Sequence, residues 1–147
     1  MVRARGRVAP TLQEEAVMDV LRGLGVVFDR DYVVDYRGWL LFYDFRFVVG
    51  GVEVFVECGF TLKGGSRGVD EVGRKAALMD FKFRALKDVR PRALAVALLE
   101  APRADLEAVR RRAGLVLVHA DLVFHSLGEF EGWVRGVVGG AVVEEGC

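Results

Sequence analysis

The chain has 147 residues but no isoleucine and no asparagine, a single glutamine (Gln13), three prolines, two cysteines and two histidines. Each shortage excludes something. Cys58 and Cys147 have no partners at zinc-ligand spacing, and neither do His119 and His125, so a Cys/His metal centre is not expected. A metal here would be held by carboxylates, which favour Mg²⁺-like ions. Every apolar run is broken by charge or glycine before it reaches membrane-spanning length, so no membrane partner is expected. Met1–Arg7 is basic but leads into no apolar stretch, so no signal peptide is expected and a cytoplasmic location is the default. The missing amides fit a thermophile protein. A GC-rich genome accounts equally well for the abundance of Arg, Val and Gly.

What is present suffices for a packed core: 52% of residues are apolar and 29% charged. No repeat or linker divides the chain, which reads as one domain over 1–147, with a basic arm (1–10) and a flexible tail (139–147). The formal charge is zero but segregated. Residues 11–59 hold nine acids and four arginines, and residues 60–92 hold nine bases and four acids. A basic block after an acidic one can frame an anionic polymer beside a metal site, or it can be a solvated helix face.

Thr11-Leu12-Gln13-Glu14 is a capping box, and Val17, Val20, Leu21 and Leu24 form an apolar stripe, so a helix is expected over about 12–24. Strands are expected over Val26–Val34, Trp39–Val48 and Val52–Cys58, the last two joined by Gly50-Gly51. Thr61–Gly68 reads as a glycine-rich loop and Asp70 to about Val89 as a long helix. Then follow a buried strand (Ala93–Leu99) and a helix (Pro102 to Ala113) closed by Arg110-Arg111-Arg112. A strand (Gly114–His119) and a helix from Ser126-Leu127-Gly128-Glu129 to about Val137, ended by Gly139-Gly140, complete the order αβββαβαβα. The class is α/β, a mixed sheet flanked by helices.

The hairpin is the most informative segment. A loop at Gly50-Gly51 pairs residues whose numbers sum to 101, which sets Asp44 opposite Glu57. Directly paired residues share a face, with Cβ atoms about 4.5–5.5 Å apart, and like charges so placed repel. A divalent cation, a proton or an arginine would relieve them, and Arg46 is the nearest arginine in that register. Tyr43, Phe45, Phe47, Val54, Val56 and Cys58 fall together on the other, core face. Glu14 can face the sheet from the first helix, whereas Glu15 points away. On the long helix Val72, Ala76, Met79, Phe83 and Leu86 form the core stripe, and Lys75 and Lys82 flank it. Leu78 and Phe81 leave an apolar back. Gly64-Gly65-Ser66-Arg67-Gly68 lacks the lysine of a phosphate-binding loop, and His119 reads as a local hydrogen-bond partner.

The carriers Glu14, Tyr43-Asp44-Phe45 and Val56-Glu57-Cys58-Gly59, followed by a basic helix and a buried strand, resemble the PD-(D/E)XK, or restriction-endonuclease-like, superfamily. The likeness runs from Thr11 to about Leu99 and is similar to archaeal Holliday-junction resolvases and very-short-patch-repair-like endonucleases. It implies a restriction-endonuclease-like fold and a metal-dependent DNA endonuclease acting on duplex or branched DNA. Asp44 and Glu57 would hold Mg²⁺ (or Mn²⁺), with Glu14 an accessory acid. The motif lysine, two residues after the Glu, is Gly59 here. Lys75 or Lys82 would have to replace it. Otherwise the site is degenerate and the protein is a nucleic-acid-binding or assembly module. Lys63, Arg67, Arg74, Lys75, Lys82 and Arg84 are the candidate nucleic-acid contacts. Two-strand cleavage and the Leu78/Phe81 back imply a homodimer. The remaining alternative is an unrelated α/β scaffold that binds protein through Trp39 and Phe42.

Overall fold

The computed structural model describes residues 9–146, with side chains to Gly139. The basic arm therefore lies largely outside the described residues. Helix α1 (Leu12–Gly23) precedes strands β1 (Phe28–Tyr36), β2 (Trp39–Val49) and β3 (Val52–Phe60). Then come α2 (Gly65–Val89), β4 (Leu94–Glu100), a 3-10 turn (Arg103–Asp105), α3 (Leu106–Val116), β5 (Leu122–Phe124) and α4 (Leu127–Gly146). The five strands form one mixed sheet in the order β1-β2-β3-β4-β5. β1 to β3 are an antiparallel meander, and β3, β4 and β5 run parallel. The protein is a mixed α/β fold with a flanked five-stranded sheet, as expected from the element order.

Two apolar layers cover the sheet. On one side Phe55, Ala95, Ala97 and Leu99 pack under α2 and α3 with Val72, Met79, Phe83 and Leu86. On the other, Phe45, Phe47, Val54, Val56, Val96 and Leu98 pack under α1 and α4 with Val17, Leu21, Phe130 and Val134. The small residues of β4 are fully buried because helices lie on both of its faces.

The Gly50-Gly51 hairpin has the expected register, Val49↔Val52 through Phe45↔Val56. The expected single core face of β2 requires correction. Phe45 and Phe47 lie in the α1/α4 layer, but Tyr43 lies in the α2 layer, edge-on to Phe55 at 5.2 Å. β1 changes sides in step: Phe28 meets Phe45, whereas Tyr32 meets Phe55. The switch falls at Asp44 and at Asp31, which stands across from it between the pairs Arg30↔Phe45 and Tyr32↔Tyr43. Asp31 has φ +54°, a left-handed conformation that interrupts the two-residue alternation of a strand.

The glycine-rich segment is not a loop throughout. α2 begins at Gly65, whose N–H donates to Asp105 Oδ2. A Cβ at Gly68 would stand 2.1 Å from the Lys63 carbonyl oxygen, so only glycine lets this turn close. The strand expected over Gly114–His119 is also corrected. Val109, Ala113 and Leu117 are buried at helical four-residue spacing, and α3 runs to Val116, which leaves Arg110-Arg111-Arg112 in mid-helix. The last strand is instead Leu122–Phe124, positioned by Asp121, which exchanges hydrogen bonds with the backbone of Ala95. α4 continues through Gly139-Gly140, where a flexible tail was expected. Glycine weakens a helix by about 1 kcal/mol per residue without ending it.

Candidate functional site

Helix α1 starts as its sequence requires. Thr11 Oγ1 accepts from Glu14 N–H at 3.1 Å and Thr11 N–H donates to Glu14 Oε1 at 3.2 Å, the reciprocal capping box. The cap leaves Glu14 partly buried and Glu15 exposed. It also turns Gln13 inward, where Nε2 donates to the Gly59 carbonyl at 3.0 Å and to Glu100 Oε1 at 2.9 Å.

At Asp44 and Glu57 strands β2 and β3 part. Regular pairing stops at Phe45↔Val56, and the two carboxylates take over the amides beyond it. Asp44 N–H donates to Glu57 Oε2 at 2.8 Å, and Cys58 N–H donates to Asp44 Oδ2 at 2.7 Å. Each acid thus hydrogen-bonds the opposing strand inside the fork. Arg46, the arginine that offered an alternative partner for these acids, does not pair here. It instead bonds Glu53 at 2.8 Å and lies 5.0 Å from the Tyr32 ring.

The cation on Glu57 is Lys82, whose Nζ lies 2.5 Å from Oε1 and 5.2 Å from the Tyr43 ring centre. Tyr43 donates its hydroxyl to the Lys82 carbonyl at 2.5 Å and so ties α2 to β2 at this point. Asp44, Glu57 and Lys82 are 4%, 5% and 6% exposed, so the trio is nearly closed to solvent. Burial, then the neighbouring Asp44 charge, push Glu57 up to about 7 against the pull of Lys82. Burial and Asp44 likewise raise Glu14, which places it in the same electrostatic cluster. The Cys58 thiol is raised by burial and then by Asp44, Glu57, Glu14 and Glu100, four carboxylates converging on one end of the sheet.

Lys75 lays its stem over Gly59, two residues beyond Glu57. A Cβ at Gly59 would meet Met79 Cε at 3.0 Å, Leu99 Cδ2 at 3.1 Å and Lys75 Cδ at 3.4 Å. A side chain at position 59 therefore needs Met79 and Leu99 to give way by a few tenths of an ångström.

Of the candidate polymer contacts, Arg67, Arg74 and Arg84 are exposed, and Lys63 is exposed beside Glu71 at 3.4 Å. Lys82 does not join them, because its ammonium is turned inward to Glu57. His119 is the local partner expected, with Nδ1 3.2 Å from Asp80. Sequence reasoning missed Gln13, Asp31 and Glu100. Gln13 alone carried a signal, as the only glutamine in the chain. Among the described residues no three His, Cys, Asp or Glu side chains form a group able to hold a metal ion, and no helix is long and apolar enough to cross a membrane.

No family model and no curated protein matches this sequence. Its fold is similar to that of a solved structure described as a protein of unknown function, AF1548. The TM-score is 0.51 at 14% identity, over 76% of this chain and 55% of that one. The likeness is one of fold, and the chain spans about half the length of that protein.

Proposed function

We propose that the fork is a metal-dependent phosphodiester hydrolysis site acting on DNA, with Lys82 in place of the missing motif lysine. The observation that carries this reading is the Lys82 ammonium on Glu57, beside Asp44, delivered from α2 rather than from β3. Gly59 supports it, because a side chain there presses on Met79 and Leu99, with the Lys75 stem alongside.

The donor set fits Mg²⁺ or Mn²⁺. Asp44 and Glu57 offer hard oxygen ligands, and Mg²⁺ characteristically takes only one or two carboxylates while keeping several waters. Burial first and repulsion from Asp44 second raise Glu57, and a cation relieves the second of these. When bound, such an ion supplies Lewis-acid activation of water and of the phosphate. The chain's own groups do the rest. Asp44 and Glu57 are held in register by the opposing amides, Lys82 supplies a fixed positive charge beside Glu57, and Glu14 adds a third acid at the mouth. Exposed Arg67, Arg74 and Arg84, with Lys63, suit phosphate contacts to duplex or branched DNA. A homodimer with Leu78 and Phe81 at its interface is part of the same proposal, since both are more than half exposed.

A second reading rests on a different observation. Both oxygens of Glu57 already have protein partners, Asp44 N–H and Lys82 Nζ. A trio satisfied internally suits a structural remnant in a nucleic-acid-binding or assembly module. The test incubates the full chain with Mg²⁺ or Mn²⁺ and duplex, branched or single-stranded DNA. Metal-dependent cleavage abolished by Asp44→Ala supports the hydrolase. DNA binding without cleavage of any substrate, with Asp44→Ala binding as wild type does, supports the module and refutes the hydrolase.

A further inference from the structure

A cavity lies beyond the fork, at the carboxyl ends of the parallel strands β3 and β4, the edge of an α/β sheet where small ligands characteristically sit. It measures about 650 Å³ and is walled by Leu12, Phe60, Leu62, Ala101 and Pro102. Leu12 and Leu62 are 84% and 86% exposed, so neither is committed to the core. Phe60 pairs with Glu100 at the end of the ladder and stands three residues past Glu57, about 10 Å along the strand.

The free polar atoms of this cavity are acceptors. Gln13 and Glu100 line it, and Gln13 is buried. The two groups that meet the Gln13 amide, the Gly59 carbonyl and Glu100 Oε1, are both acceptors, so the nitrogen must face them and the orientation of the carboxamide is fixed. Gln13 Oε1 and Glu100 Oε2 have no hydrogen-bond partner among the described residues. Thr61, buried on the same wall, is committed elsewhere: its hydroxyl accepts from Lys63 N–H at 3.1 Å and bonds Glu71. The outer edge has the opposite character. Lys63 and Arg103 directly follow Leu62 and Pro102, and both are exposed, Lys63 beside Glu71.

We infer that this cavity binds a guanine nucleotide, with the base between the apolar walls and the phosphate at the Lys63 and Arg103 edge. Guanine is the common base that presents two adjacent donors, N1–H and the N2 amino group, on one edge. Two acceptors with no donor beside them select that edge over adenine, cytosine or thymine. Phe60 offers the base an aromatic surface, and apolar walls suit its faces. An amidinium or guanidinium also satisfies two acceptors, but the cationic edge disfavours it while favouring a phosphate. A free nucleotide and an unpaired guanine of a nucleic acid present the same chemistry, and the test separates them. The inference needs neither a metal nor cleavage, so it stands apart from the hydrolase reading.

The test is calorimetric titration of the full chain, without metal, with the 5′-monophosphates of guanosine, inosine and adenosine and with benzamidine, folding being checked by circular dichroism. Guanosine monophosphate is expected to bind. Inosine monophosphate, which lacks the amino group, is expected to bind about tenfold more weakly, and adenosine monophosphate, whose N1 acceptor meets the carboxylate, more weakly still. Glu100→Gln replaces an acceptor by a donor and is expected to weaken guanosine monophosphate by about tenfold or more and to narrow its lead over adenosine monophosphate. Leu62→Ala, at an exposed position, keeps the test decisive if Glu100→Gln does not fold; it is expected to weaken guanosine monophosphate several-fold. No binding of guanosine monophosphate, equal binding of the three nucleotides, or binding of benzamidine alone overturns the inference, as does unchanged binding by Leu62→Ala. Anisotropy with labelled single-stranded thymidine oligonucleotides carrying one central dG or dA assigns the source. A preference for dG supports an unpaired base as the ligand, and equal binding of the two beside a bound guanosine monophosphate supports a free nucleotide.

Discussion

Replacing Lys82 by methionine removes the ammonium from Glu57 while keeping an unbranched stem against Tyr43. In the wild type the two groups are 2.5 Å apart, with side chains 8% and 6% exposed. Breaking a buried pair on one side costs about 3–5 kcal/mol, because the surviving charge is left without its counter-ion. That cost depends on pH. The folded-state pKa of Glu57 is about 7 against an ordinary 4.5, and loss of Lys82, which lowers it, moves it higher still. An acid raised on folding leaves stability intact below its unfolded pKa and costs stability as pH rises toward its folded one. Below pH 4.5 the variant therefore loses little more than a hydrogen bond, about 1 kcal/mol. At pH 8 the wild type already bears the cost of ionising Glu57, and protonation of Glu57 in the variant bounds the further loss at the one pH unit above 7, about 1.4 kcal/mol, so the total reaches about 2.4 kcal/mol. At about 2–4 °C per kcal/mol for a chain of this size, the midpoint drops by roughly 3 °C at pH 4.5 and by about 7 °C at pH 8. Urea and thermal unfolding of both proteins at these two pH values measure the difference. An equal loss at both would refute the argument, since it would mean that the lysine contributes packing and no charge. Adding Glu57→Gln to Lys82→Met is expected to recover most of the pH 8 loss, because the buried charge is then gone.

Gly59→Ala is expected to cost about 1–3 kcal/mol in chemical denaturation, because the added methyl meets Met79 and Leu99 at 3.0 and 3.1 Å; a neutral result would mean those side chains yield freely. If the exposed arginines of α2 touch phosphate, each Arg→Ala change among Arg67, Arg74 and Arg84 lowers the log–log salt slope of duplex binding by about 0.9, measured by anisotropy titration across ionic strengths. Unchanged slopes in all three would place any DNA contact elsewhere.

Where local chemistry is sufficient, the sequence alone determined the outcome. Thr11 and Glu14 close a capping box within four residues, and the Gly50-Gly51 turn sets a register that brings Asp44 and Glu57 to the end of the ladder, although the direct pairing expected of them by counting gives way one step earlier, at Phe45↔Val56. The apolar spacing of Val72, Ala76, Met79, Phe83 and Leu86 defines the buried side of α2. Only the tertiary structure decided which cation serves Glu57. Lys75 and Lys82 are seven residues apart on the same flank, and the choice depends on how α2 lies across the sheet, pinned by the Tyr43 hydroxyl on the Lys82 carbonyl. The side switch at Asp31 and Asp44 was hidden for the same kind of reason. Alternation along a strand presumes uninterrupted extended geometry, and a left-handed aspartate breaks it without shifting the register. Gln13 and Glu100 meet beside the fork from α1 and β4, and nothing in their local sequence records that meeting. The last strand illustrates the limit most clearly. Leu115-Val116-Leu117-Val118 is as apolar as any strand in the chain, yet it ends a helix, because burial at four-residue spacing against α2 and the hold of Asp121 on Ala95 assign the sheet edge to Leu122–Phe124 instead.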